Sequence, residues 1–218
     1  MSSDSETKPL IDPIAMARRD LKKSLPKRFW KDVTCVTEEG GFAIHLDGRP
    51  TRTPARAPLI LPTRALAEIA AEEWRAVGEF IDPATMPITR IVNSALDAVA
   101  KRRSEVADDC ARYAGSDLLC YRAEEPRRLV ERQSLHWDPV LAWAKDTHGW
   151  RFTLAGGVVH VAQPEETLSS VHAHLHAISN PLRLSALHVV TTMTGSVLLA
   201  LSLAEGAFGP TAIWNAAH

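Results

Sequence analysis

The side chains best suited to chemistry crowd into one short segment: His172, His174 and His176. On a helix, His172 and His176 stand one turn apart and could chelate a metal, while His174 points elsewhere. A zinc enzyme wants a further His, Cys or carboxylate and a water position. Neither H-E-x-x-H nor H-x-E with C-x-x-C is present to supply them. The expectation is a solvated, neutral helix face without a metal; the alternative is a metal-dependent enzyme built on the His172/His176 face. Gly195-Ser196 lacks the G-x-S-x-G frame of a nucleophile elbow and falls within an apolar helical pattern. There Gly allows close backbone approach and Ser can bond back to the i−4 carbonyl. Gly40-Gly41 and Gly156-Gly157 lack the residues of a phosphate loop or a dinucleotide fingerprint and suit hairpin turns. The pairs Glu38/Glu39, Glu72/Glu73, Asp108/Asp109 and Glu124/Glu125 are adjacent in sequence, so on a helix they diverge by about 100° and cannot converge for acid–base work. No catalytic residue is assigned and no cofactor is expected.

Composition narrows the classes further. With 25 Lys+Arg against 26 Asp+Glu and a net charge of −1, the chain lacks the basic surplus that nucleic-acid binding needs. Its 45% hydrophobic content is enough for a substantial core. Cys35, Cys110 and Cys120 are odd in number and widely spaced, which suits buried reduced thiols. The N-terminus has no apolar signal core and is acidic where a mitochondrial presequence would be rich in Arg, so a cytoplasmic protein is expected. The last 56 residues carry only four charges, Glu165, Glu166, Arg183 and Glu205. Within them, Leu184–Ala204 is long enough to span a membrane, but His188, Thr191, Thr192, Thr194, Ser196 and Ser202 interrupt it, so a helix enclosed by protein is preferred.

The elements that would position these residues follow from periodicity. Residues 1–9 read as a disordered tip, and Leu10–Leu25 as a short amphipathic helix ended by Pro26. Val33 and Cys35, then Phe42, Ile44 and Leu46, alternate around Glu38-Glu39-Gly40-Gly41, the pattern of a hairpin. Asp47-Gly48 turns the chain into a third strand near Arg49–Thr53, and Leu59–Leu61 suits a fourth. Thr63 is placed to cap a helix whose Leu66, Ile69, Ala70, Trp74 and Val77 recur at helical spacing. Beyond Pro87, helices are predicted over 88–100, 103–114, 126–147, 164–178, 182–204 and from Pro210. A small hairpin is predicted at Gly156-Gly157. The fold class is α+β: a small antiparallel sheet with helices in an N-terminal domain, 1–85, then a mainly α-helical domain, 86–218. The six Trp residues, 30, 74, 137, 143, 150 and 214, suit a core or a protein interface.

An ordered series of strings resembles the ATP synthase assembly chaperones that hold the alpha subunit of the soluble sector, the Atp-twelve family. They are Arg28-Phe-Trp-Lys31, Leu46-Asp-Gly-Arg-Pro-Thr-Arg-Thr-Pro54, Leu59-Ile-Leu-Pro62 and Ala71-Glu-Glu-Trp74, then Ile81-Asp-Pro-Ala-Thr-Met-Pro-Ile-Thr-Arg90 leading to Asn93, Ala95 and Asp97. Asp117-Leu-Leu-Cys-Tyr-Arg122, Gln133 with Trp137-Asp-Pro139, Gly195-Ser196 and Trp214-Asn-Ala-Ala217 complete it. The resemblance implies a two-domain chaperone without catalysis. Such a chaperone binds the unassembled alpha subunit transiently, covers the surface that the beta subunit will take, and leaves on assembly. The expected chaperone is monomeric, without nucleic acid or stable membrane insertion. Partner contacts are expected from Arg90, Asp117, Tyr121, Gln133 and Trp137, which combine motif membership with interface chemistry. In the family the helix entered at Trp214 runs on into an acidic stretch; this chain stops at His218, so the second domain is expected to be truncated and no acidic residue there is carried over.

Overall fold

The structure, a computed structural model, describes residues 25–218. The tip and the amphipathic helix expected before Leu25 lie outside the described residues. The chain forms two compact units, one of residues 25–52 with 58–90, the other of 53–57 with 91–218.

The first unit is built on the predicted hairpin, β1 (Val33–Glu38) and β2 (Gly41–Leu46), paired antiparallel from Val33↔Leu46 to Glu38↔Gly41. Gly41 is required by packing, since a Cβ there would stand 2.3 Å from the Leu61 carbonyl oxygen. Two short strands, β3 (Arg49–Pro50) and β4 (Ile60–Leu61), share the other edge of β2. Pro50, which has no N–H, sits on such an edge strand. Helix α1 (Arg64–Ala76) covers the sheet. Thr63 caps it as predicted, its Oγ1 accepting from the Leu66 N–H at 3.3 Å. The buried stripe is Ala67, Ala70 and Ala71, while Ile69 points outward, so small residues bring the helix close to the strands. Trp30 and Trp74 meet at 5.2 Å beneath this layer. Glu73 reaches the next helix, α2 (Pro87–Asp97), and accepts from the N–H groups of Ile88 (2.6 Å) and Thr89 (2.8 Å).

The second unit is helical. After α2 come α3 (Arg103–Ala114), α4 (Arg127–His148), α5 (Glu165–His176), α6 (Pro181–Thr194), α7 (Val197–Ala204) and α8 (Pro210–Ala217). Helix α7 is the hub: Val197–Ser202 are all buried, and α3, α4, α6 and α8 pack around it. The α7 part of the charge-poor segment is thereby enclosed by protein, whereas α6 keeps an exposed face that includes Met193; among the described residues no helix is long and apolar enough to cross a membrane. Cys110 and Cys120 are buried, and burial pushes their thiols up to about 11 and about 12.

Two local expectations are corrected. The apolar pattern over 182–204 is two helices, because Gly195 adopts φ +68 and ends α6, and Ser196 caps α7 by accepting from the Leu199 N–H at 3.0 Å. The hydroxyls that bond back into α6 are those of Thr192 and Thr194, donating to the His188 carbonyl at 3.0 Å and the Val190 carbonyl at 2.8 Å. Gly156-Gly157 makes no hairpin. Instead β6 (Ala155–Gly156) pairs in parallel with β5 (Tyr121–Arg122), and the Gly157 N–H donates to the Arg122 carbonyl at 2.8 Å.

Candidate functional site

Four of the five predicted contact residues lie in the second unit, on one stretch of chain and the helix that follows it. Asp117 opens a short 3-10 turn, Leu118–Cys120, which feeds β5 and then α4. Its carboxylate is fully buried and accepts from the N–H of Leu119 in its own turn and of Leu198 at the start of α7, each at 3.1 Å. The Leu118 N–H donates to the Gly195 carbonyl at 3.2 Å, so the turn is stitched to the break between α6 and α7. Burial raises the Asp117 carboxyl to about 6, against the opposing pull of the Ser196 hydroxyl and the backbone donors.

Tyr121 is half-buried, its hydroxyl 3.2 Å from His160 Nδ1. Gln133, also half-buried, accepts from the Ala123 N–H at 2.8 Å and clamps the segment to α4. Arg122 donates to the Leu119 carbonyl at 3.1 Å, pairs with Asp138, and lays its guanidinium 5.4 Å from the Trp137 ring. Trp137 is buried and donates from Nε1 to the Ala216 carbonyl at 2.7 Å, tying α4 to α8. Asp117 and Trp137 therefore offer a partner no free side chain; they set the positions of Tyr121, Arg122 and α8. Arg90 is exposed and belongs to the first unit.

The apolar surface that could engage a partner lies beside them. Leu129 and Leu135 are exposed on α4, Leu135 at 70%, and Trp214 on α8 at 55%. The buried side of α4 carries Trp137, Val140 and Ala144. Leu135 precedes Trp137 by two residues, about 200° of helical rotation, which puts it on the opposite side. Leu129 and Leu135 line an open depression of about 550 Å³ together with Arg128, Glu131 and Arg132. A smaller groove of about 120 Å³ runs from Leu129 and Gln133 to Ala217. These leucines were not among the predicted contacts, although their place off the buried stripe is readable in sequence.

The histidines of α5 are less solvated than predicted. His172 and His176 both place Nε2 against Asp108 Oδ1, at 2.9 and 2.7 Å, with their rings stacked 4.1 Å apart. These contacts hold the Asp108 carboxyl below its ordinary range. His174 does point elsewhere: its Nε2 lies 2.9 Å from Glu205 Oε1, and His148 Nε2 lies 3.0 Å from Glu205 Oε2. Either group, Asp108/His172/His176 or His148/His174/Glu205, has the donors to hold a metal ion.

The sequence profile of the ATP12 chaperone protein family matches residues 27–145, more than half of the chain. The chain belongs to this family. A crystal structure of an Agrobacterium tumefaciens protein, provisionally assigned as a chaperone, is 48% identical, covers 97% of this chain and 79% of its own, and superposes with a TM-score of 0.82. Atp12 from Paracoccus denitrificans is 41% identical over 88% of this chain and 82% of its own, with a TM-score of 0.80. A more distant relative, the Schizosaccharomyces pombe protein named mitochondrial atp12, is 23% identical over 192 residues. That match takes in 83% of this chain but 66% of the relative, just under two thirds of its length. ATP12 proteins are named as chaperones, which places the chain among chaperones and not among enzymes. Their shared α+β fold is the one described above.

Proposed function

We propose that this ATP12-family chain is an assembly chaperone of ATP synthase whose client is the unassembled alpha subunit. It shields the client's subunit interface and releases it to the beta subunit. The observation that carries the reading is membership of the ATP12 chaperone family. The physical logic is that of a holdase. An orphan subunit exposes apolar interface that self-associates, and a binder of that state alone shifts the population by mass action. Release by competition needs no nucleotide chemistry from the chaperone. The helical domain, taken as 86–218, supplies the client surface through the exposed α4 leucines and Trp214, with Tyr121 and Gln133 at its margin. Arg90 adds a contact from the N-terminal domain, while Asp117 and Trp137 hold the surface in place. The proposed location is the bacterial cytoplasm, and the proposed state outside the transient complex is a monomer.

The test is co-expression with the alpha subunit, measuring soluble alpha and the complex by gel filtration. Soluble alpha should rise several-fold and co-elute with the chain. Equal insolubility with and without the chain would sink the proposal.

A further inference from the structure

We infer that His148, His174 and Glu205 form a binding site for one borderline divalent cation of the Zn2+ class, which clips α4, α5 and the end of α7 together. Three elements converge there: His148 is the last residue of α4, His174 lies in the last turn of α5, and Glu205 is the C-cap of α7. The ligand atoms all lie within 4.8 Å of one another. Tetrahedral zinc ligands, about 2.1 Å from the metal, stand about 3.4 Å apart. The separations of 2.9 and 3.0 Å reach that spacing by tenths of an ångström of side-chain rotation.

The Glu205 carboxylate favours a cation here over a simple ion pair. Its Oε1 is shielded from solvent and has no hydrogen bond, although His174 Nε2 stands only 2.9 Å away. The two atoms are close but not in line for an N–H to be donated. A buried acceptor left in that condition needs a partner, and a cation between the imidazole nitrogens and the carboxylate provides one. The walls are rigid. The His148 ring stacks on Trp150 at 4.1 Å and 13°, Trp143 meets it edge-on at 5.1 Å, and His174 meets Trp150 edge-on at 5.3 Å. Two imidazoles and one carboxylate select Zn2+, Co2+ or Ni2+ over the hard cations Mg2+ and Ca2+. A water molecule would complete four-coordination. The neighbouring Asp108/His172/His176 group differs in that both imidazoles bond the same carboxylate oxygen within ordinary hydrogen-bond geometry, and its side chains are more exposed.

The experiment uses the full chain without a histidine tag, stripped with chelator and dialysed. Zn2+ is titrated calorimetrically, and Co2+ by its visible absorption and by quenching of the adjacent Trp fluorescence. The expected result is one equivalent bound with a micromolar or tighter Kd and a rise in Tm with Zn2+. Glu205→Gln and His174→Ala should weaken binding by at least about tenfold, and Asp108→Asn should leave it unchanged. Circular dichroism confirms that each variant is folded. If His174→Ala fails to fold, the near-isosteric Glu205→Gln and the Co2+ spectrum of the unaltered chain decide. Millimolar or absent binding by the unaltered chain overturns the inference. So does binding that survives Glu205→Gln, or binding that Asp108→Asn abolishes.

Discussion

Asp117 was expected at a partner interface and lies fully buried at the start of α7, so replacing it gives a sharp test of what it does. Its carboxyl is raised from 3.8 to about 6 because burial penalises the charged form. Between those two values the folded chain holds this proton more tightly than the unfolded chain. Stability from this group is therefore full below pH 4 and falls as pH rises through 6. A shift of about 2 units corresponds to about 3 kcal/mol, and full burial calls for no solvent discount. Asp117→Asn mimics the protonated form and removes that slope. The assay is urea unfolding followed by Trp fluorescence at pH 4, 5, 6 and 7. Other carboxylates titrate alike in both proteins and cancel in the difference. The stability of Asp117→Asn relative to the unaltered chain should thus improve by about 2 kcal/mol between pH 4 and pH 7, a small part of the whole being lost already at pH 4. Asp117→Ala, which strands the Leu119 and Leu198 N–H groups, should instead cost about 3 kcal/mol near pH 4, where the unaltered side chain carries no charge penalty. A difference between Asn and Asp that stays flat across this range would refute the reasoning. An unchanged urea midpoint for Asp117→Ala at pH 4 would return Asp117 to the list of residues free to meet a client.

Other expectations follow from the same contacts. Gly195→Ala forces a Cβ into φ +68 with only Leu118 Cβ near, at 4.0 Å, so it should cost about 1–2 kcal/mol in urea unfolding from backbone strain alone. Trp137→Phe keeps the ring burial but strands the Ala216 carbonyl, and calorimetry should find it about 1 kcal/mol less stable. Glu73→Ala leaves the Ile88 and Thr89 N–H groups at the start of α2 without their acceptor, a loss of about 1–2 kcal/mol by urea unfolding. Leu135→Glu changes an exposed side chain, so stability should move by less than about 0.5 kcal/mol. Its recovery of soluble alpha subunit in co-expression should nonetheless fall several-fold.

Much of the fold was legible because its signals are local. Alternation on either side of Gly40-Gly41 marked the hairpin, and Thr63 announced α1. The misreadings arose where the deciding partner is remote. Periodicity cannot reveal that Ala155–Gly156 pairs in parallel with Tyr121–Arg122, because two-residue strands have no period. The break at Gly195 was hidden because apolar residues continue on both sides, and a single positive φ leaves that pattern intact. Asp117 reads as a surface or capping residue until α7 is folded over it. Glu205 lies 31 positions from His174 and 57 from His148, so only the packing of three helices brings them together. The chain after Asp117 and the Gln133–Trp137 string do meet in the fold, through the Ala123 N–H on Gln133 and the Arg122 guanidinium over Trp137.

Five of the carboxylates in the strings that carried the family resemblance turn out to share a chemistry, and it is structural. Asp47 accepts from the N–H groups of Lys31 and Asp32, Glu73 from Ile88 and Thr89, Asp82 from Ala84, Asp97 from Ala55, and Asp117 from Leu119 and Leu198. Each carboxylate satisfies donors that a helix start or a turn leaves without partners. Such positions are constrained by geometry whether or not a client is present, so they identify the fold without marking its working surface. A client-binding residue should show the opposite profile: exposed, apolar or cationic, and free of structural duty. Leu129, Leu135 and Trp214 meet that description, whereas Asp117 and Trp137 do not. The distinction is measurable. Substitutions at the carboxylates should lower stability and client recovery together, while those at the exposed apolar residues should lower recovery alone.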